Sequence, residues 1–162
     1  VDTKRGELAL LGHPVAQQLL QATIPARLAY IALDGTPRVV PVQFLWTGEE
    51  VVLHSWPDDP KTAAIRANPQ VAITIDTASP PYRVLQIRGT ATVTLVGGAS
   101  PEMTATSVRY MGEEAGRAWT EHAARLSPQQ ARIAVRPIWV DVLDFETRLP
   151  AGMLRQLRRA MA

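Results

Sequence analysis

The sequence predicts a mainly β, α+β fold in which about six antiparallel strands close towards a small barrel, with helices at the periphery. Three observations predict it. Residues 27–61 read as three consecutive strands joined by two tight turns, Asp34-Gly35 and Thr47-Gly48, where glycine supplies the positive φ that a hairpin needs. Residues 85–95 alternate without a break: Leu85, Ile87, Gly89, Ala91, Val93 and Leu95 face one way, and Gln86, Arg88, Thr90, Thr92 and Thr94 the other. A helical pattern holds from Pro101 to Leu126, outside these strands.

With 162 residues the chain is expected to form one domain, 1–162, large enough to bury a core. Residues 1–26 are expected to be a helical lead-in and 150–162 a basic C-terminal helix or tail. No cysteine is present, which excludes disulfides, thiolate metal sites and cysteine nucleophiles. No apolar run approaches bilayer-spanning length and the opening VDTKRGE does not resemble a signal peptide, so a cytoplasmic location without a membrane partner is expected. The net charge of +2 is uneven, because Arg155, Arg158 and Arg159 crowd the C-terminal end. The rest is nearly neutral, which argues against a dedicated nucleic-acid binder.

Taken in order, residues 11–22 place Val15, Leu19, Leu20 and Ala22 on one helical face, with Pro14 tolerated at the start and His13 at the entry as a capping or surface residue. In the second strand Arg38, Val40, Val42, Phe44 and Trp46 share a face, opposite Val39, Pro41, Gln43 and Leu45. Pro41 donates no N–H, so that strand must bulge or lie at an edge, leaving backbone groups free for a ligand. A helix from Pro60 stops at Asn68-Pro69, and a short strand follows with Val71, Ile73 and Ile75 on one face. Ser79-Pro80-Pro81-Tyr82 forms a rigid loop, and Gly89 is expected to bend the long strand round a barrel corner. The helical region breaks at Met111-Gly112. Tyr110, Met111, Trp119 and Leu126 are read as packing residues, Glu113, Glu114 and Glu121 as a solvated face, and His122 as structural. Residues 132–145 make the last strand, where Pro137 again implies an edge or a bulge. Met153, Leu154, Leu157 and Met161 then recur at helical spacing with arginines opposite.

The common catalytic signatures are absent: no GxGxxG after a strand, no P-loop, no GxSxG and no HExxH. His13, His54 and His122 are scattered, so no metal site is expected. His54 and Ser55 are neighbours on a strand and point to opposite faces, so they cannot form a nucleophile–base pair. What remains is cofactor chemistry, in which the protein binds, orients and excludes water. Lysine occurs only at Lys4 and Lys61, and Lys61 opens a helix behind the polar bend Ser55-Trp56-Pro57-Asp58-Asp59-Pro60. Such a bend offers backbone N–H groups and an ammonium to a phosphate. Ser55 would add a hydrogen bond, Arg38 a bidentate contact, and Trp56 a cover for an apolar ring. No catalytic acid or base is nominated.

At these residues the chain resembles the pyridoxamine 5′-phosphate oxidase-like superfamily of split β-barrel flavin and deazaflavin oxidoreductases, though not the oxidase proper. The resemblance is carried by ARLAYIALDGTPRVVPVQFLW, VVLHSWPDDPK with AAIRANPQVAITID, VLQIRGTATV and RPIWVDVLDFETRLP, across residues 12–150. It implies an arginine-led strand beside the flavin, matched by Arg38, Val39, Pro41, Val42 and Gln43. It implies a polar pair, His54-Ser55, on the ribityl-phosphate arm, and a phosphate-binding Lys61 six residues on. It further implies that Gln86 and Arg88 border the site, and that Trp139 meets it from a second subunit. Pro60 stands where the oxidase proper has a basic residue, and no substrate-binding arginine-histidine signature follows Phe145. Ala64 replaces an asparagine frequent in deazaflavin members.

The resulting expectation is a homodimeric oxidoreductase that binds FMN or the deazaflavin coenzyme F420 and transfers a hydride to or from a small conjugated substrate. The alternatives are a non-catalytic flavin, deazaflavin or haem carrier of the same fold, with His54 as the haem ligand, and a barrel adaptor without cofactor that docks through its basic tail.

Overall fold

The computed structural model describes residues 5–161. Residues 1–4, which include Lys4 and open the expected lead-in, and Ala162 at the end of the expected tail lie outside the described residues. A 3-10 turn at Leu8–Gly12 leads into α1 (Pro14–Gln21), whose entry is capped by His13 Nδ1 accepting the Val15 N–H at 3.2 Å. Strands β1 (Ala26–Ile31) and β2 (Pro37–Val42) form a hairpin across Gly35, at φ 80°. After two unpaired residues come β3 (Leu45–Trp46) and β4 (Val51–Ser55), joined across Gly48 at φ 98°. Then follow α2 (Pro60–Ala67), β5 (Gln70–Asp76), β6 (Val84–Gly97), α3 (Pro101–Met111), α4 (Glu113–Leu126), β7 (Gln129–Leu143) and α5 (Ala151–Ala160).

The fold is α+β, with seven antiparallel strands rather than about six, in the order β2-β1-β5-β6-β7-β4-β3. The extra strand arises because Gln43 and Phe44 break what the sequence reads as one strand. Phe44 turns into the core, fully buried, and its carbonyl accepts from Arg109 of α3 at 3.1 Å. The same guanidinium sits 4.7 Å from the Phe44 ring and reaches the carbonyls of Leu20 and Ala22 behind α1.

This break shapes the molecule. β2 and β3 are the two edges of the sheet, yet only two residues separate them. Three Cα steps of about 3.8 Å hold the edges within about 11 Å. The sheet must therefore curl until its ends nearly meet, leaving a seam. Pro41 lies on one lip of that seam, an edge position where its missing N–H breaks no central ladder.

The second proline is accommodated differently. β7 lies between β6 and β4, and Arg88 pairs with Trp139 while Gly89 pairs with Pro137, so Ile138 bulges out of the ladder. Gly89 is required by close approach: a Cβ there would lie 2.5 Å from Val135 Cγ1 and 2.7 Å from the Arg136 carbonyl.

Leu19, Leu20, Leu28, Leu53, Ile73 and Ile87 are among the residues filling the barrel, and α1 and α2 pack across it. Several expected packing residues are exposed instead. Leu95 lies beyond the covered part of β6, Met111 and Leu126 face outward from α3 and α4, Trp119 is part-exposed at the mouth of a cavity, and Ala22 is half-buried and only caps α1. Tyr110 does pack, edge-on to Phe44 with its hydroxyl donating to the Ile24 carbonyl at 3.0 Å. His122 is exposed beside Trp119 rather than built into a core. The last strand runs 129–143, not 132–145, and leaves Phe145 in a turn held by Asp144. The basic segment forms α5, with Met153 and Leu157 exposed and Leu154 half-buried. Among the described residues no helix is long and apolar enough to cross a membrane.

Candidate functional site

A cavity of about 310 Å³ opens where the seam, the end of β4 and the start of α2 come together. Pro41, Val42 and Gln43 form its seam wall. His54, Ser55 and Trp56 form the β4 wall, Asp59 and Lys61 the polar end, and Met103, Thr106, Ser107 and Trp119 the wall from α3 and α4. Its size is at the lower end for ligand pockets.

The polar end is built by local chemistry. Asp59 caps α2 and Pro60 takes the first helical position, where its missing N–H costs nothing. Asp59 Oδ1 accepts the Lys61 N–H at 2.7 Å, while Oδ2 accepts the Lys61 ammonium at 3.1 Å and the Ser55 hydroxyl at 3.2 Å. Lys61 Nζ also donates to Ser55 Oγ at 2.9 Å. The Thr62 hydroxyl donates to the Trp56 carbonyl at 3.0 Å and fixes the bend from β4 into the helix. Burial pushes the Asp59 carboxyl up, but hydrogen bonds from the Lys61 backbone and ammonium, the Lys61 charge and the Ser55 hydroxyl outweigh it, leaving the group below the usual carboxylate range.

One expectation is corrected here. The start of α2 does not present a row of open backbone N–H groups: Pro60 has none, the Lys61 N–H is taken by Asp59, and the Thr62 and Ala63 N–H groups bond the Asp59 carbonyl. The Lys61 ammonium uses two of its three donors within the protein, which leaves its third for a ligand. Lys61 is only 13% exposed and lies in the cavity wall, unlike an ordinary surface lysine.

His54 lies on the same wall. Its Nε2 is 3.3 Å from Ser100 Oγ, the residue that caps α3, and its Nδ1 is buried without a hydrogen-bond partner. Burial lowers its pKa, opposed by Glu102 and reinforced by Arg132, which is itself bonded to Glu102 at 2.5 Å. The neutral ring is favoured in the folded state, so the unfolded state binds more protons and stability rises with pH. This contribution is full above about pH 6.5, the ordinary histidine value, and is lost as pH falls below it towards the depressed folded value. Thermal melts between pH 7.5 and 5.5 are expected to show falling stability, and His54→Gln to flatten the slope; an unchanged slope would remove His54 as its cause.

Of the residues nominated from sequence, Pro41, Val42, Gln43, His54, Ser55, Trp56 and Lys61 line this one cavity. Arg38 does not: it pairs with Asp34 at 3.1 Å and bonds Thr36 within its own hairpin turn. Val39, Gln86, Arg88 and Trp139 are likewise outside the lining. Val39 is exposed on the outer sheet, and the Arg88 guanidinium stacks 4.1 Å from the Trp139 ring. Sequence reasoning missed Asp59, although the Asp-Pro pair at a helix start is a capping signal, and it missed the wall from α3 and α4. No spacing rule connects residues 103–119 to residues 41–61.

The sequence pattern of the family described as pyridoxamine 5′-phosphate oxidase matches residues 13–144. No curated protein matches the chain in sequence. Among solved structures, an F420 reductase is 25% identical with a TM-score of 0.60, covering 77% of this chain and 94% of its own. A putative pyridoxamine 5′-phosphate oxidase from Listeria innocua is 23% identical with a TM-score of 0.56, covering 79% and 94%. The haem storage protein HutZ from Vibrio cholerae is 16% identical with a TM-score of 0.60, covering 82% and 93%. The latter two likenesses establish the split-barrel fold.

Proposed function

The chain belongs to the pyridoxamine 5′-phosphate oxidase family, and from that premise we propose that it is an oxidoreductase binding FMN or the deazaflavin F420 at a homodimer interface and acting on a small conjugated substrate. The observation that carries this reading is the cavity itself, with a lysine, a serine and a capping carboxylate at one end and an apolar strand lip beside two tryptophans. Lys61 and Ser55 would hold the phosphate arm, and the Pro41–Gln43 lip and Trp56 would flank the ring. When bound, such a cofactor accepts or donates a hydride at its ring. The residues of this chain then bind, orient and exclude water. The likeness to an F420 reductase supports the deazaflavin class.

The cavity has room for part of a cofactor, which suits a site completed by a second subunit. Val39, Ala29, Ala72 and Ile138 line apolar grooves on the outer sheet, with Val39 and Ile138 exposed. A partner covering that face would bring in Arg88 and Trp139 and account for their distance from this chain's own cavity. Haem is less well served. One His54 nitrogen faces Ser100 and the other is buried.

Absorbance titration of the purified protein with FMN, F420 and haem tests the reading, with sedimentation run on the same samples. Saturable binding of a flavin or deazaflavin to a dimer is expected. Binding of neither class would overturn the cofactor role, and a monomer that binds fully would remove the shared interface.

A further inference from the structure

The charges at the polar end of the cavity cancel. Among the residues lining it, Lys61 is the one side chain with a fixed positive charge and Asp59 the one carboxylate, and they are in contact at 3.1 Å. His54 is held neutral by burial, and behind it Arg132 is matched by Glu102 at 2.5 Å and Glu50 at 3.7 Å. Arg38, the expected second cation, is spent on Asp34. The start of α2, where a helix attracts an anion, is already filled by the Asp59 carboxylate. The Ser55 hydroxyl is turned to that carboxylate too, so the one side-chain cation of the cavity lies beside a standing negative charge.

A phosphomonoester such as that of FMN carries close to two negative charges at neutral pH. A phosphodiester, such as that of F420, carries one. The second charge gains from Lys61 about what it loses to Asp59, so its larger desolvation cost in the cavity goes uncompensated. We propose that Asp59 sets the charge of the anion this site accepts, selecting a singly charged phosphodiester over a dianionic phosphomonoester. This rests on the cofactor role proposed above and narrows it to the phosphodiester class.

The test uses three ligands with one ring: riboflavin, FMN and the monomethyl phosphodiester of FMN, titrated by flavin fluorescence against the protein and its Asp59→Asn variant. Asparagine caps a helix as well as aspartate, so α2 is retained. In the unaltered protein the methyl diester is expected to bind about tenfold more tightly than FMN. Asp59→Asn is expected to tighten FMN by about the same factor and leave the diester within about threefold, so that the preference disappears. Equal or tighter binding of FMN by the unaltered protein, or a preference unchanged in Asp59→Asn, would overturn the role of Asp59 while leaving the phosphate anchor standing. Riboflavin binding as tightly as both esters would instead remove the anchor, and this inference with it.

Discussion

A Lys61→Ala variant is expected to lose about 10–100-fold in affinity for a flavin or deazaflavin phosphate while keeping its fold. The magnitude follows from a hydrogen bond to a charged group, worth about 1.5–3 kcal/mol, at about 1.4 kcal/mol per tenfold. The structural reasons that stability should survive are local. The cap on α2 uses the Lys61 backbone N–H, which alanine retains, and alanine is the best helix former. Affinity should fall further than a single lost contact suggests, because Asp59 would then face the ligand without its countercharge. Isothermal titration together with a urea unfolding curve separates the two effects. Affinity within twofold of the unaltered protein would mean that Lys61 is not the phosphate anchor.

Asp141→Ala is expected to destabilise the fold by about 3–5 kcal/mol, the usual cost of breaking a buried ion pair from one side. Asp141 is 1% exposed on β7. It accepts from Arg5 at 2.7 Å and lies 3.4 Å from Arg148, itself 3% exposed. Arg148 also donates to the Val142 carbonyl at 2.8 Å, and Arg5 to the Leu149 carbonyl. One carboxylate thus ties both the N-terminal segment and the turn after β7 to the sheet. Its removal strips a countercharge from a guanidinium that has little access to water. Denaturant unfolding measures the loss; a cost under about 1 kcal/mol would show that the buried guanidinium is satisfied without Asp141.

The sequence was legible where backbone chemistry is local. Proline and glycine announced their own requirements: Pro41 lies on an edge strand, Pro137 sits beside a bulge, and Gly35 and Gly48 make the two turns. Lys61 opened its helix as expected, and six more nominated residues gathered round it. What was not legible depends on contacts distant in the chain. Nothing near Phe44 in sequence reveals that Arg109 and Tyr110 will draw it into the core and split a strand. Trp119 has the spacing of a packing residue, and only the placement of α3 and α4 over the seam puts it in the cavity wall. Arg38 stays out of this chain's cavity for a nearby reason: Asp34 and Thr36 in its own turn compete for the guanidinium.

A crystal structure of the protein with F420 tests most directly whether the Ser55–Lys61 end anchors a cofactor phosphate. The phosphate is expected within hydrogen-bond distance of Lys61 Nζ, with the ring along the Pro41–Gln43 lip. A phosphate bound at Arg38 or Arg88, with the Lys61–Asp59 pair untouched, would contradict it.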